Sequence, residues 1–159
     1  MKIDLIAGAR PNFMKIAPII DAIKVAQSNG EKIEFRIVHT GQHYDKNMSG
    51  SFFEQLGIPM PDVNLEAGGG SQAEQTAKIM IGYESLLQKD STDYCLVVGD
   101  VTSTMACSIV AKKMNIKVIH VEGGIRSWDL TMPEEINRMV TDSITDYFFT
   151  TSETANNNL

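Results

Sequence analysis

Tyr94-Cys95-Leu96-Val97-Val98, closed by Gly99-Asp100, carries the strongest signal for the fold. Five residues run without the in-and-out alternation of a strand that keeps one face in water. Such a run suits a strand covered on both faces, the usual state of strands in a parallel sheet. Similar strands are expected upstream at Lys2–Ala7 (KIDLIA) and Phe35–Thr40 (FRIVHT). Downstream they are expected at Lys117–Val121 (KVIHV) and Tyr147–Thr150, with a short one at Val63-Asn64-Leu65.

Helical signals fall between these strands. Phe13, Ile16, Ile20 and Ile23 repeat at helical spacing, so a helix is expected over Phe13–Ser28, capped by Asn12 and containing Pro18. Phe52, Phe53 and Leu56 predict a short helix ending at Gly57. After Gly68-Gly69-Gly70, the run Ser71-Gln72-Ala73-Glu74 matches a capping box. The helix it opens should reach Lys89, with Ala73, Ala77, Met80 and Leu87 on its inner face. Thr102 or Ser103 is expected to cap the helix after the YCLVV strand, and Asn115 to end it. Pro133 suits a first helical position, with Glu134 and Glu135 in the first turn and Ile136, Val140 and Ile144 continuing the helix. Thr151-Ser152-Glu153 begins a last one. Strand and helix thus alternate at least five times, which specifies an α/β fold with a doubly wound, parallel, Rossmann-like sheet. At 159 residues, one domain spanning positions 1–159 is expected.

Composition narrows the function classes. Hydrophobic residues make up 43% of the chain, enough for a buried core. A net charge of −6 argues against nucleic-acid binding, which needs a basic face. No apolar run approaches the ~20 residues of a membrane span, and no signal peptide is evident, so a soluble cytoplasmic protein is expected. Cys95 and Cys107 fall in apolar surroundings and outside any metal-type spacing, as reduced buried thiols do. His39 and His43 are four apart but span a strand and a loop, so no metal site is expected. Neither GxGxxG nor GxxxxGK[ST] occurs, so a nicotinamide cofactor and a Walker-type phosphate loop find no support.

The polar residues that matter share a position. Arg10 follows the first strand, Gln42 and His43 the second, Asp100 the YCLVV strand, and Glu122 the KVIHV strand. In a parallel sheet all of these sit at the carboxyl edge, where open α/β sheets bind ligands. The densest chemistry lies in His120–Arg138 (HVEGGIRSWDLTMPEEINR). Asp100, Glu122, Glu134 and Glu135 give several carboxylates, and crowding can separate their pKa values into an acid and a base. Arg10 and Lys15 are cations placed to meet a phosphate near a helix N-terminus. Simpler readings stand beside these: Lys15 as a solvated helix residue, and Glu134 and Glu135 as helix-dipole charges. Arg138 could be the i,i+4 partner of Glu134, Arg126 and Asp129 could pair with loop charges, and Trp128 is either a packing anchor or a lid residue. His120 reads as a core histidine.

GARPNFMKIAP, HTGQHYD, VVGD and HVEGGIRSWDLTMPEEINR, in this order, resemble the amino-terminal half of the non-hydrolysing UDP-N-acetylglucosamine 2-epimerases. The resemblance implies one half of a two-domain, glycogen-phosphorylase-like (GT-B-like) arrangement with the active site between the halves. The implied activity interconverts UDP-GlcNAc and UDP-ManNAc for surface polysaccharide synthesis, without a cofactor, in an enzyme expected to be a homodimer. It implies Asp100, Glu122 and Glu134 as catalytic carboxylates, and Arg10, Lys15 and Arg138 as substrate-binding cations. Gln42 and His43 correspond to a loop that holds a second, activating UDP-GlcNAc in bacterial members. Tyr44-Asp45 departs from the basic residue expected there. Val101 replaces a hydroxyl residue and removes a possible hydrogen bond to the sugar. Gly123 replaces Ala and is expected to loosen the turn after Glu122. A hydrolysing epimerase releasing UDP and ManNAc, and a sugar-nucleotide-binding domain without catalysis, are the competing readings.

Overall fold

A computed structural model describes residues 1–41 and 50–159. Six strands form one parallel sheet: β1 (Lys2–Ala7), β2 (Glu34–His39), β3 (Val63–Asn64), β4 (Tyr94–Val98), β5 (Lys117–Val121) and β6 (Tyr147–Phe149). Their spatial order is β3-β2-β1-β4-β5-β6. The order reverses between β1 and β4, and the crevice at such a switch point is the ligand position of a doubly wound sheet.

The helices are α1 (Arg10–Ser28), α2 (Gly50–Leu56), α3 (Gln72–Lys89), α4 (Thr102–Lys113), α5 (Pro133–Ile144) and α6 (Glu153–Asn157). Each face of the sheet carries its own core. Ile3, Leu5 and Ala7 of β1 pack with Phe13, Ile16 and Ile20 of α1 and Phe52 and Phe53 of α2. Ile6, Cys95, Val97 and Val118 pack on the other face with Ile79, Tyr83 and Leu87 of α3 and Val110 of α4. Alternate residues of the same strand therefore serve opposite layers, which is why YCLVV shows no alternation. Burial pushes the Cys95 and Cys107 thiols well up, so both are inert packing groups.

Several local expectations are corrected. The first helix begins three residues early, with Ala9 as its N-cap. Asn12 lies inside the first turn, where its Oδ1 accepts from the Gly8 and Ala9 N–H groups and its Nδ2 donates to Val98 O. Its bond from the Ala9 N–H is the N3 half of a capping box, and its other contacts tie the end of β1 to the end of β4. The Ser71/Glu74 capping box forms. However, α3 buries Ile79, Tyr83 and Leu87 while Ala73 and Ala77 face solvent, because the larger side chains set the phase of the inner stripe. Neither Thr102 nor Ser103 caps α4: Val101 is its N-cap, and the Thr104 hydroxyl turns back to donate to Val98 O. Asn115 ends α4 in the left-handed region at φ 61°. No helix among the described residues is long and apolar enough to cross a membrane.

Candidate active site

The parallel sheet delivers Arg10, Asp100 and Glu122 to one edge, and α1 and α5 add Lys15, Glu134 and Arg138. Two ion pairs form there. Lys15 Nζ lies 2.6 Å from Glu122 Oε2. Arg138 donates from Nε and Nη2 to one oxygen of Asp100, Oδ2, at 3.1 and 2.5 Å. They are neighbours: a Cβ built on Gly99 would lie 3.5 Å from Glu122 Oε2 and 3.8 Å from Lys15 Nζ. Among the described residues, Asp100 Oδ1 and Glu122 Oε1 take no hydrogen bond. Each carboxylate is thus held by one oxygen and open at the other.

Backbone geometry supports this placement. Glu122 has φ 70°, a conformation that costs a non-glycine residue about 1–3 kcal/mol. The Glu122 N–H donates to Phe149 O of β6, so the neighbouring strand holds the strained turn. Asn137 of α5 donates to the Asp100 carbonyl at 2.8 Å and fixes the other turn.

Glu134 forms no ion pair among the described residues. It lines a cavity of about 220 Å3 with Gln75, Val101, Thr102 and Asn137. Val101 presents an apolar group to that cavity. Arg10 joins neither ion pair; its guanidinium lies over the Phe52 ring, 4.7 Å from the centroid. Gln42 and His43 lie outside the described residues. His39 packs its ring on Phe13, and burial lowers its pKa. No group of His, Cys, Asp and Glu suited to a metal ion occurs among the described residues.

The expected Glu134–Arg138 pair does not form. Arg138 instead uses Nη1 on Glu135 Oε2, at 2.7 Å. The helix turns Glu135 inward, and Glu135 is fully buried. Glu135 also accepts from the Ser127 N–H, the Ser127 hydroxyl and the Trp128 N–H, at 3.0, 3.0 and 3.1 Å. Burial alone would raise its carboxyl, but these donors and Arg138 outweigh it and hold it at about 2. Sequence reasoning missed this residue because it resembles an ordinary first-turn carboxylate. The available signal was the spacing Glu135, Arg138, Asp142, which places three charged residues along one helix face. That face is the buried one: α5 buries Glu135, Asn137, Thr141 and Asp142, while Ile136 is exposed.

Beneath the site, His120 is a fully buried core histidine. Its ring bridges Asp142 Oδ1 at 2.6 Å and Gly99 O at 2.8 Å. Asp142 also accepts from Arg126 and the Gly124 N–H, so Arg126 pairs with α5 and not with a loop charge. Asp129 accepts instead from Thr131, within its own loop. Burial would raise Asp142; His120, Arg126 and Gly124 hold it below the usual carboxylate range. A Cβ on Gly123 would come 2.8 Å from Phe148 Cδ1, so this glycine permits a close approach rather than loosening the turn. Trp128 is 74% exposed, which rules out the packing-anchor role within this chain.

A Rossmann-like sheet with carboxylates and cations interleaved at its switch-point edge places ionisable groups where α/β domains of this kind take their ligands. Sequence comparison gives the family: the family model for UDP-N-acetylglucosamine 2-epimerase matches residues 25–159, and the chain belongs to that family. A UDP-N-acetylglucosamine 2-epimerase from Methanocaldococcus jannaschii is 45% identical over all of this chain and 42% of its own length. A UDP-2,3-diacetamido-2,3-dideoxy-D-glucuronate 2-epimerase from Pseudomonas aeruginosa is 43% identical over all of this chain and 44% of its own. The crystal structure of the M. jannaschii enzyme in complex with UDP-GlcNAc and UDP superposes with a TM-score of 0.91, covering 99% of this chain and 42% of that one. The chain therefore spans about two fifths of the length of the curated relatives it matches.

Proposed function

We propose that this chain is the amino-terminal Rossmann-like domain of a two-domain enzyme that interconverts UDP-GlcNAc and UDP-ManNAc. The observation that carries the reading is the pairing at the sheet edge. Asp100 and Glu122 each keep one oxygen on a cation and one open, with Glu134 unpaired among the described residues. Three carboxylates in different environments suit a reaction that needs both a base and an acid.

The C2 hydrogen of the sugar is not next to a carbonyl, so its loss requires expulsion of the diphosphate. A carboxylate takes the C2 proton, the C–H electrons form the C1–C2 double bond, and the C1–O bond breaks to release UDP. The 2-acetamidoglucal then takes a proton at C2 on the opposite face as UDP re-adds at C1. Asp100, Glu122 and Glu134 supply the proton transfers. Arg10, Lys15 and Arg138 supply positive charge toward the sugar and leaving group.

The test is an assay in deuterated water, followed by NMR. The complete enzyme should yield UDP-ManNAc carrying deuterium at C2, and the 159-residue chain alone should yield little or none. Product without deuterium would overturn the elimination route. Free ManNAc with UDP would make the enzyme a hydrolysing epimerase, and turnover by the short chain would overturn the two-domain reading. A second substrate has specific support. A relative of nearly equal identity is a diacetamido-glucuronate epimerase, and Arg10 has no ion pair among the described residues to compete with a sugar carboxylate. Competition between the two nucleotide sugars separates these readings.

A further inference from the structure

Glu135 has no place in the proton chemistry, because it is fully buried and four hydrogen bonds hold its carboxylate. Its contacts nevertheless come from two directions. Oε1 takes the Trp128 N–H, while Oε2 takes the Ser127 N–H, the Ser127 hydroxyl and Arg138 Nη1. One carboxylate thus joins the loop after β5 to the arginine that holds Asp100. The loop needs such a tether: Trp128 has φ 63°, a left-handed conformation that costs a bulky residue about 1–3 kcal/mol. The arginine needs one too. With Nη1 fixed by Glu135, its remaining edge, Nε and Nη2, is presented to Asp100 Oδ2. Occupying Nη1 does not itself forbid a fork, since Arg36 holds Asp90 with Nη1 and still takes both Asp4 oxygens. What Glu135 sets is the plane of the guanidinium, and without it that plane is free to turn until Nε and Nη2 take one Asp100 oxygen each. That would occupy the oxygen that is now open.

We infer that Glu135 is a positioning residue: it acts through Arg138 to keep one oxygen of Asp100 open, and it holds the Ser127–Trp128 backbone in place. The inference rests on the proposed epimerase reading for its effect on turnover, but not for its effect on the loop.

A double-mutant cycle on the complete enzyme tests the first arm. Glu135→Gln should lower kcat by about 10-fold to 100-fold with KM changed less than about 3-fold. In an Arg138→Met background the same change should add less than about 3-fold, because its target is already gone. A merely structural role would give losses that multiply in the two backgrounds, and that result, or an unchanged kcat, overturns the inference. Should Glu135→Gln fail to fold, Ser127→Ala and Arg138→Lys run the same cycle between the two ends of the clamp, and multiplying losses again overturn it.

The second arm uses the single tryptophan of the chain, Trp128. Time-resolved anisotropy of the 159-residue chain should gain a fast component in Glu135→Gln. A Trp128 as restrained as in the parent overturns the clamp. If the parent complete enzyme shows no epimerisation, the proposed function fails on its own, and this anisotropy result still decides the clamp.

Discussion

Two arginines organise opposite ends of the same sheet, and they do so differently. At the amino end, Arg36 forks onto both oxygens of the fully buried Asp4, at 2.9 and 2.7 Å, and extends Nη1 to the exposed Asp90. At the carboxyl end, Arg138 also bridges a fully buried carboxylate, Glu135, and a more accessible one, Asp100. Here the fork goes to the accessible partner, onto one oxygen only. The buried partners diverge as well. Burial raises the Asp4 carboxyl despite Arg36 and the Tyr83 hydroxyl, whereas backbone N–H groups and Arg138 pull Glu135 down to about 2. The amino-end pair is closed and neutralises its own buried charge. The carboxyl-end pair leaves one carboxylate oxygen without a hydrogen bond among the described residues, free to accept one.

The contrast between the two ends is tested most strongly by Arg36→Met. It leaves Asp4 buried without its cation and should cost about 3–5 kcal/mol in urea unfolding. Nucleotide-sugar affinity of the folded protein should be unchanged. A loss below ~1 kcal/mol would show that the amino-end network adds little to the stability of the fold. Next comes the reverse pattern at the other end. Asp100→Asn should lower kcat of the complete enzyme by about 10²-fold or more, while the unfolding free energy moves by less than about 1 kcal/mol. Equal damage to stability would erase the distinction between the two ends.

A smaller effect is expected from Gly123→Ala. The added methyl meets Phe148 at 2.8 Å, so thermal denaturation should show a loss of about 1–2 kcal/mol, the low end of overpacking. A neutral result would show that the Phe148 ring shifts freely.

The last prediction concerns acid. Glu135 ionises at about 2 in the folded chain against an ordinary 4.5. The folded state therefore favours the charged form. Its contribution is fully present above pH 4.5 and is lost as pH falls through the folded value near 2. Urea midpoints measured across that window should decline less steeply in Glu135→Gln than in the parent, and parallel declines would remove Glu135 from the acid-labile set.

The amino-acid pattern is enough to set the parallel α/β layering, because strands buried on both faces and helices with one apolar stripe leave few other packings. It also determined the edge on which Arg10, Asp100 and Glu122 meet, since each follows a strand and parallel strands end together. The resemblance in the His120–Arg138 stretch carried the family. Which side chains pair with which is settled by the fold instead. Local spacing offered Glu134 to Arg138, but packing of α5 against α4 turned Glu135 inward and gave Arg138 to Asp100, 38 residues away. Likewise local pattern places Asn12 at the start of α1, but only the fold brings the Val98 carbonyl of β4 to its Nδ2. Hydrophobic periodicity specifies which layer an element joins, whereas a hydrogen bond is directional and short, so its partner is fixed only when distant segments arrive within 3 Å or so.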